Sequence, residues 1–325
     1  MKVAFEGGFS KTLVEAVRQR LSIPCEIIAG DEEALLAELS DVEVLVSMAF
    51  SSRIAEAAPS LRLVQVPGAG LDRVDTSALG PRVALANVHG HGSGIAEYVI
   101  GAMIALTREF TLVDQSLRRG VWESQWAVGR AIPPVRPELS GKTLAVIGLG
   151  HIGEEVVRRA AAFDMTIVAV RRDPAAPKPP GVSHAVGLDR IDEALGRADY
   201  VVITLPLVDA TARLFDTKRF QAMKPSAYLI NVARGGIVDE DALYNALHER
   251  RIAGAAIDVW YRYPVSGDPT PPSRLPFHEL DNVIMTPHVS GWTDGMLAAR
   301  AALIAENIER TARGEAPLNA VELDR

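Results

Sequence analysis

Cysteine is almost absent from this sequence of 325 residues. Its one cysteine, Cys25, excludes an intrachain disulfide and with it the small, disulfide-stapled class of secreted domains. A free thiol suits a reducing compartment, and the segment Met1–Glu6 enters a strand pattern without a signal-peptide pattern. We therefore expect a cytoplasmic protein.

Long apolar runs and basic clusters are also missing. No apolar run approaches the roughly 20 residues that span a bilayer, so no membrane partner is predicted. The net charge is −7 and the basic residues are scattered, which disfavours nucleic acid as a partner. Hydrophobic residues make up 48% and charged residues 23%, as in globular proteins with a substantial core, and the length suggests two domains.

Strand and helix patterns alternate in two series, which predicts an α/β fold with parallel sheets covered on both faces. The first series has strands at Val3–Phe5, Glu26–Ile28, Val44–Val46, Leu63–Val66 and Ala84–Ala86. The second has six, at Thr143–Ile147, Thr166–Val170, Tyr200–Thr204, Ala227–Asn231, Ala255–Val259 and Val283–Thr286. The expected architecture is two doubly wound parallel-sheet domains.

A helix and an irregular arm separate the two series. The helical pattern runs from Ile95 to Arg119, and the segment Gly120–Pro137 that follows contains Trp122 and Trp126. Apolar aromatics on an extended arm more often cover a partner subunit or the next domain than stand free in solvent. The arm therefore predicts packing between subunits, and we expect a homodimer.

Three glycines follow the first strand of the second series with the spacing G-x-G-x-x-G. Gly148 permits a tight turn, Gly150 lets backbone approach a pyrophosphate, and Gly153 lets the next helix pack closely. His151 and Ile152 open that helix, whose N-terminus would face the phosphates. The pattern predicts a dinucleotide site, the alternative being a glycine-rich turn without a ligand.

The end of the next strand bears on which dinucleotide binds. Asp173 lies 20 residues after Gly153, at a spacing that would allow it to hold the ribose 2′-hydroxyl of NAD. However, Arg171 and Arg172 come first after the strand, and guanidinium groups suit a 2′-phosphate. NADP(H) is therefore favoured and NAD(H) remains possible, while a solvated arginine pair with Asp173 in a turn is the alternative without a ligand.

Several motifs in order make the chain resemble the D-2-hydroxyacid dehydrogenase family, which also includes formate and phosphite dehydrogenases. These motifs are Gly68–Asp72, Leu139–Thr143, the glycine fingerprint, Leu205–Leu207, Met223–Pro225, Asn231–Gly236, Ala256–Val259 and Thr286–His288. The resemblance implies a Rossmann-type cofactor domain, 95–290, inserted in a flavodoxin-like substrate domain, 1–94 and 291–325. It implies an active site between them, and the dimerisation arm would be about 120–137.

Two residues carry the chemistry in this resemblance. Arg234 would bind and polarise the substrate, because its fork can hold carboxylate and carbonyl oxygens together. The structural alternative is a pair with Asp239 or Glu240. His288 would be the acid–base, since a histidine pKa of about 6.5 suits proton exchange near neutrality.

The third expected residue is replaced. Typical relatives have a glutamate five positions after the aspartate that corresponds to Asp258, and it pairs with the histidine; here that position is Tyr263. A phenol with a pKa near 10 cannot stabilise the charge on His288 as a carboxylate would. The proton donor is then weak, or the Tyr263 hydroxyl takes part, or the reaction needs no such donor.

The remaining site residues follow from the resemblance. Asp258 would contact the nicotinamide carboxamide, the alternative being a strand-end cap. Leu205, Pro206 and Ala233 are further cofactor-binding candidates. Substrate-binding candidates are Ala69, Gly70 and His91.

The two histidines His89 and His91 form a departure of their own. They could be metal ligands, but no cysteine or carboxylate accompanies them, so no metal is predicted. A polar contact to substrate and a helix-capping role are both open.

We therefore expect an oxidoreductase that transfers hydride between NADP(H) and a D-2-hydroxy or 2-oxo acid, working mainly as a 2-oxo acid reductase. A formate- or phosphite-like dehydrogenase is the first alternative, because the usual glutamate is missing. The second is a nucleotide-sensing binding protein with little catalysis. The retained Arg234 and His288 argue against it.

Overall fold

The chain divides into two compact units. The computed structural model describes residues 1–265 and 267–322. One unit comprises Met1–His91 and the chain from Trp292 onward, and the other comprises Gly92–Gly291. Residues 323–325 of the expected substrate domain and Ser266 of the expected cofactor domain lie outside the described residues. The functional roles expected for the two domains stay predictions.

The first unit contains a five-stranded sheet in which every pair is parallel. Its strands are β1 (Lys2–Glu6), β2 (Glu26–Gly30), β3 (Val44–Val46), β4 (Leu63–Gln65) and β5 (Ala84–Ala86). The order β2-β1-β3-β4-β5 is flavodoxin-like, so the expected fold class is confirmed for this unit. Successive residues of β1 enter different cores, because Val3 and Phe5 pack with one face and Ala4 with the other.

Helices cover both faces of this sheet. They are α1 (Gly7–Lys11), α2 (Val14–Arg18), α3 (Glu32–Leu35), α4 (Ser52–Ala57) and α11 (Asp294–Arg313), the last numbered after the helices of the second unit. Ile304 and Ile308 of α11 pack with Val3 and Phe5, whereas Ile54 of α4 packs on the opposite face. The C-terminal helix thus completes the core of the first unit.

The second unit contains seven parallel strands. They are β6 (Thr143–Ile147), β7 (Thr166–Val170), β8 (Val182–Val186), β9 (Tyr200–Ile203), β10 (Tyr228–Asn231), β11 (Gly254–Ile257) and β12 (Val283–Met285). The order β12-β11-β10-β9-β6-β7-β8 is the dinucleotide-fold order with one added strand. The prediction of six strands was wrong by one, because β8 is an edge strand whose Ser183 and His184 are exposed and break the apolar pattern.

The helices of this unit are α5 (Gly92–Thr107), α6 (Phe110–Arg118), α7 (His151–Ala161), α8 (Ile191–Arg197), α9 (Thr217–Ala222) and α10 (Glu240–His248). The single helix expected over Ile95–Arg119 is interrupted, because Glu109 has a left-handed backbone with φ of 54°. The segment 120–137 has no helix or strand, and Trp126 on it is 76% exposed.

The seven-stranded sheet is buried on both faces, which explains its continuous apolar strands. Ala145 and Ile147 of β6 contribute to one core, and Leu144 and Val146 contribute to the other. All the strands run in one direction, so their carboxyl ends lie along a single edge of the sheet. Every candidate residue of this unit follows a strand at that edge or opens the helix after it.

Candidate functional site

The turn after β6 shows why its first glycine is required. Gly148 has φ of +107°, and a Cβ added there would lie 2.9 Å from the backbone nitrogen of Leu205. Thr204 supports the same turn by donating from Oγ1 to the Gly148 carbonyl at 2.5 Å. The turn therefore packs against the segment after β9, and it lies where the strand order reverses between β6 and β9.

The other two glycines differ in what surrounds them. A Cβ at Gly153 would lie 2.3 Å from the Gly148 carbonyl oxygen, so helix packing explains this glycine. At Gly150 an added Cβ would meet no protein atom within 4 Å apart from the adjoining backbone. Gly150 is also the N-cap of α7 and has no side chain that could fill this space, so an anion could approach the start of the helix. The residues of this turn fit a dinucleotide pyrophosphate.

Arg171 directly follows the last residue of β7, as the sequence predicted. Its guanidinium donates to the carbonyls of Pro177, at 3.1 Å, and of Ala176. Arg172 is exposed. Asp173 accepts a bond from the Ala175 backbone nitrogen at 3.0 Å, which gives it a local turn role. The residue at the strand edge is thus basic.

Three neighbouring strands end in register and are followed by the polar candidates. Asn231, Ile257 and Met285 are paired across β10, β11 and β12. One candidate follows each strand within one to three residues: Arg234 after β10, Asp258 after the central strand β11, and His288 after β12. The fold thus brings together residues that are far apart in the sequence.

Arg234 stands on a braced turn. The amide of Asn231 donates to the Arg234 carbonyl at 3.1 Å and accepts from the Ala233 nitrogen at 3.1 Å. The Arg234 guanidinium is half-buried and donates to the Ala233 carbonyl at 2.8 Å.

The two carboxyl groups proposed as structural partners of Arg234 have partners of their own. Asp239 caps α10 by accepting from the Ala242 nitrogen at 2.9 Å, and this contact lowers the pKa of Asp239, as does its ion pair with Arg213. Glu240 pairs with Arg274 at 2.9 Å. These contacts weaken the structural alternative for Arg234.

His288 is paired with the tyrosine that replaces the usual glutamate. Tyr263 Oη lies 2.8 Å from His288 Nδ1, and the two rings meet edge to face with centroids 5.7 Å apart. The backbone nitrogen of Trp260 lies 3.4 Å from the same hydroxyl. A phenol is therefore hydrogen-bonded to the imidazole, and it comes from the sequence position at which the resemblance expects a glutamate.

Asp258 holds the turn that carries His288. Its Oδ1 accepts from Thr286 Oγ1 at 2.6 Å and from the Val289 nitrogen at 2.9 Å, and its Oδ2 accepts from the Ser290 nitrogen at 2.9 Å. Asp258 is fully buried. His288 has φ of +59°, a left-handed conformation that costs a non-glycine residue of order 1–3 kcal/mol. The bonds to Asp258 on both sides of His288 offset that cost.

Sequence reasoning missed a further member of this network. Tyr98 Oη lies 2.7 Å from Thr286 Oγ1. The single hydroxyl proton of Thr286 is donated to Asp258, so Tyr98 must donate to Thr286. Tyr98 lies on α5, about 160 positions before Asp258 in the sequence. It belongs to none of the motifs, so only the tertiary fold shows that it joins this network.

The candidates of the first unit follow β4 and β5. Asn87 donates to the Ala69 carbonyl at 3.0 Å, which ties the loop containing Gly70 to the end of β5. His91 is buried. Among the described residues no group of three or more histidine, cysteine or acidic side chains is arranged to hold a metal ion. The same residues include no helix long and apolar enough to cross a membrane.

Comparison with known proteins identifies the class. The sequence profile described as "D-isomer specific 2-hydroxyacid dehydrogenase, NAD binding domain" matches residues 100–290, the region that contains the glycine turn, Arg234 and His288. The chain belongs to the D-isomer specific 2-hydroxyacid dehydrogenase family. This confirms the resemblance drawn from the motifs.

Individual relatives carry several names. A D-3-phosphoglycerate dehydrogenase of Methanocaldococcus jannaschii is 36% identical over 92% of this chain, which spans only 55% of that relative. A glyoxylate reductase of Thermofilum pendens is 33% identical over 88% of this chain and 80% of its own.

A solved glyoxylate/hydroxypyruvate reductase of Sinorhizobium meliloti supports the fold. Its TM-score is 0.80 at 26% identity, over 98% of this chain and 96% of its own, and it is in complex with NADP and malonate. The two parallel-sheet domains of this chain are thus those of the family.

The Tyr98 network predicts a pH-dependent stability. Burial raises the pKa of Tyr98 to about 12, so its contribution is complete below about pH 10 and is lost as the pH rises through 12. At pH 8 we expect Tyr98→Phe to lower the free energy of unfolding by about 1 kcal/mol. The difference from wild type should shrink between pH 10 and 12. Urea unfolding across this range measures it, and a difference independent of pH would contradict the assignment.

Proposed function

We propose that this protein is an NADP(H)-dependent reductase of 2-oxo acids that forms D-2-hydroxy acids. The observation that carries the proposal is the placement of His288, bonded at Nδ1 to Tyr263, on the sheet edge that also presents Arg234 and the glycine turn. Relatives named glyoxylate reductase and hydroxypyruvate reductase support the reaction class. The D configuration rests on the family.

The nucleotide would be held along the carboxyl edge of the seven-stranded sheet. The pyrophosphate would lie against the glycine turn and the start of α7, which comprise Gly148, Gly150, His151, Ile152 and Gly153. The nicotinamide half would lie beside the ends of the next three strands. The residues that border it there would be Leu205 and Pro206 after β9, Ala233 after β10 and Asp258 after β11. When bound, the reduced nicotinamide supplies the hydride.

The substrate would be held by charge and by backbone donors. Arg234 would bind its carboxylate and polarise the ketone, while Ala69, Gly70 and His91 of the first unit would hold the carboxylate side. His288 would donate a proton from Nε2 as the ketone oxygen becomes an alkoxide, so that the carbonyl gains one hydride and one proton.

Tyr263 would act through its hydroxyl. When His288 is protonated, Nδ1 carries a proton that the Tyr263 oxygen can accept at the observed 2.8 Å. This bond would orient the imidazole and leave Nε2 to donate to the reacting oxygen. A neutral hydroxyl stabilises the imidazolium less than a carboxylate does, so the donor should titrate at a lower pH than in glutamate-containing relatives.

The experiment that tests the proposal is a turnover panel. Purified protein should oxidise NADPH with at least one 2-oxo acid between glyoxylate and phenylpyruvate, and His288→Asn should lower kcat about 10²–10⁴-fold. Reduction of NADP+ by formate, with no turnover of any 2-oxo acid, would favour the formate-like alternative. Tight NADPH binding without turnover in either assay would favour a nucleotide sensor.

The Tyr263 assignment predicts a shift in the pH profile. The rate of reduction should fall as the pH rises through the His288 titration, because the proton donor is lost. Tyr263→Glu should move this fall about 1–3 pH units higher, since a carboxylate stabilises the imidazolium. Tyr263→Phe should lower kcat/KM about 2–10-fold without that upward movement.

Tyr244→Phe is a matched control for these variants. Its ring stacks on His248 of the same helix with centroids 5.7 Å apart, and it is not among the candidate site residues. Its profile should match wild type. If Tyr263→Glu leaves the fall at the wild-type pH, Tyr263 does not set the protonation of His288.

The arginines after β7 predict the cofactor preference. We propose that Arg171 and Arg172 together hold the 2′-phosphate, since charge-assisted bonds to phosphate contribute about 1.5–3 kcal/mol. Arg172→Ser should therefore weaken NADPH binding by about 10–100-fold and leave NADH binding near wild type. Arg197→Ser, at an exposed position that ends α8, is the control. Equal weakening of both nucleotides would contradict the assignment.

The arm is the proposed dimer contact. Its apolar side chains are exposed: Trp122, Trp126, Val128, Ile132 and Val135. Burying them against a second subunit would remove a large apolar area from water, and sedimentation mass tests this homodimer. The cytoplasmic location inferred from the single cysteine is part of the same proposal.

A further inference from the structure

Arg300 of the first unit stacks on the ring of Phe9, and no carboxylate among the described residues pairs with it. The Arg300 guanidinium carbon lies 5.1 Å from the centroid of the Phe9 ring, and that ring lies 5.7 Å from the ring of Trp292 at 59°. We call these three residues the Phe9 cluster. Arg300 belongs to α11, Trp292 directly precedes its N-cap residue, and Phe9 lies on α1 just after β1.

The charge of Arg300 is not neutralised by the described part of the chain. The guanidinium makes no hydrogen bond or ion pair with any described residue, and its Nε is buried without an acceptor. By contrast, Arg310 and Arg313 of the same helix pair with glutamates. Burial lowers the pKa of Arg300 to about 10, so it remains charged at neutral pH.

A desolvated charge without a counterion is costly for the fold. Stacking on an aromatic ring recovers about 0.5–2 kcal/mol, whereas taking an ion out of water costs several kcal/mol. A half-buried cation held in this way is complementary to an anion that arrives from solvent. Trp292 is 50% exposed, so the Phe9 cluster is open to solvent on that side.

The location of the cluster connects it with the substrate candidates. Phe9 follows β1, and Ala69 and Gly70 follow β4, at the same carboxyl edge of the five-stranded sheet. β3 lies between β1 and β4, so the strand ends that lead into these two loops are roughly 10 Å apart, two strand spacings of about 4.8 Å. Ala299, next to Arg300, approaches Gly90 in the loop that contains His91, because an added Gly90 Cβ would lie 3.5 Å from it.

This arrangement of two anion donors along one sheet edge suits a doubly charged substrate. An anion held by the Ala69–Gly70 backbone and another held by Arg300 would each sit about 3 Å from its donors. A short carbon chain with an anionic group at each end could then reach from one set of donors to the other.

We propose that Arg300, supported by Phe9 and Trp292, binds a second anionic group, a carboxylate or a phosphate, at the far end of a 2-oxo acid substrate. This inference rests on the proposed reductase function and adds the substrate class. The substrates favoured are dianionic 2-oxo acids, and Arg300 is a specificity-determining residue.

The test compares substrates that differ in the second charge. The ratio of kcat/KM for 2-oxoglutarate to that for the uncharged 2-oxopentanoate should fall about 10–100-fold in Arg300→Met, and less in Arg300→Lys, which keeps the charge without the fork. A 2-oxo acid with a terminal phosphate monoester distinguishes the two anions. Arg313→Met, on the same helix in an exposed ion pair, is the control whose ratio should match wild type.

Two further measurements separate this inference from the proposed function. Calorimetric titration of 2-oxoglutarate into the protein with NADP+ bound should show affinity that Arg300→Met loses, whether or not turnover occurs. Loss of that affinity without 2-oxo acid turnover in wild type would support the anion site and contradict the reductase.

Stability gives an independent outcome. Removing an uncompensated charge should leave Arg300→Met at least as stable as wild type. An unchanged substrate ratio together with lower stability would overturn the proposal and make the Phe9 cluster structural.

Discussion

Parallel strands impose the constraint on which the candidate site depends. Their carboxyl ends meet at one edge, so residues that follow successive strands become neighbours however far apart they lie in the chain. Arg234, Asp258 and His288 are brought together in this way by β10, β11 and β12. The same rule places the glycine turn after β6 at the strand-order reversal. Burying both faces of the sheet is what fixes these strand ends, and therefore the spacing of the polar side chains.

Much of this arrangement could be predicted from the sequence, because short-range physics determines it. Apolar runs gave the strands, and the spacing of Gly148, Gly150 and Gly153 gave a strand–turn–helix that the structure contains. The two errors in the predicted secondary structure also have physical causes. The edge strand β8 has only one covered side and a mixed pattern, and the helix over Ile95–Arg119 is broken by one left-handed residue, Glu109.

The hydrogen bonds inside the site could not be predicted from the sequence. Asp258 is recognisable by motif, but its three bonds to the turn around His288 depend on the tertiary fold. Tyr98 joins through Thr286 from a helix without any marked motif. The sequence left three alternatives for the residue that replaces the glutamate: a weak proton donor, participation of the Tyr263 hydroxyl, or a reaction that needs no such donor. Only the observed 2.8 Å contact between Tyr263 and His288 favours participation of the hydroxyl.

Charge compensation separates structural from functional cations in this protein. Arg213, Arg274 and Arg313 each face a carboxylate, so the fold explains them. Arg300 faces an aromatic ring and no described carboxylate, although burial makes its charge expensive. A protein that stabilised only itself would gain by replacing such a residue with an apolar one of similar volume. A guanidinium beside the loops that are proposed to hold substrate is therefore explained best by an anion that the substrate brings.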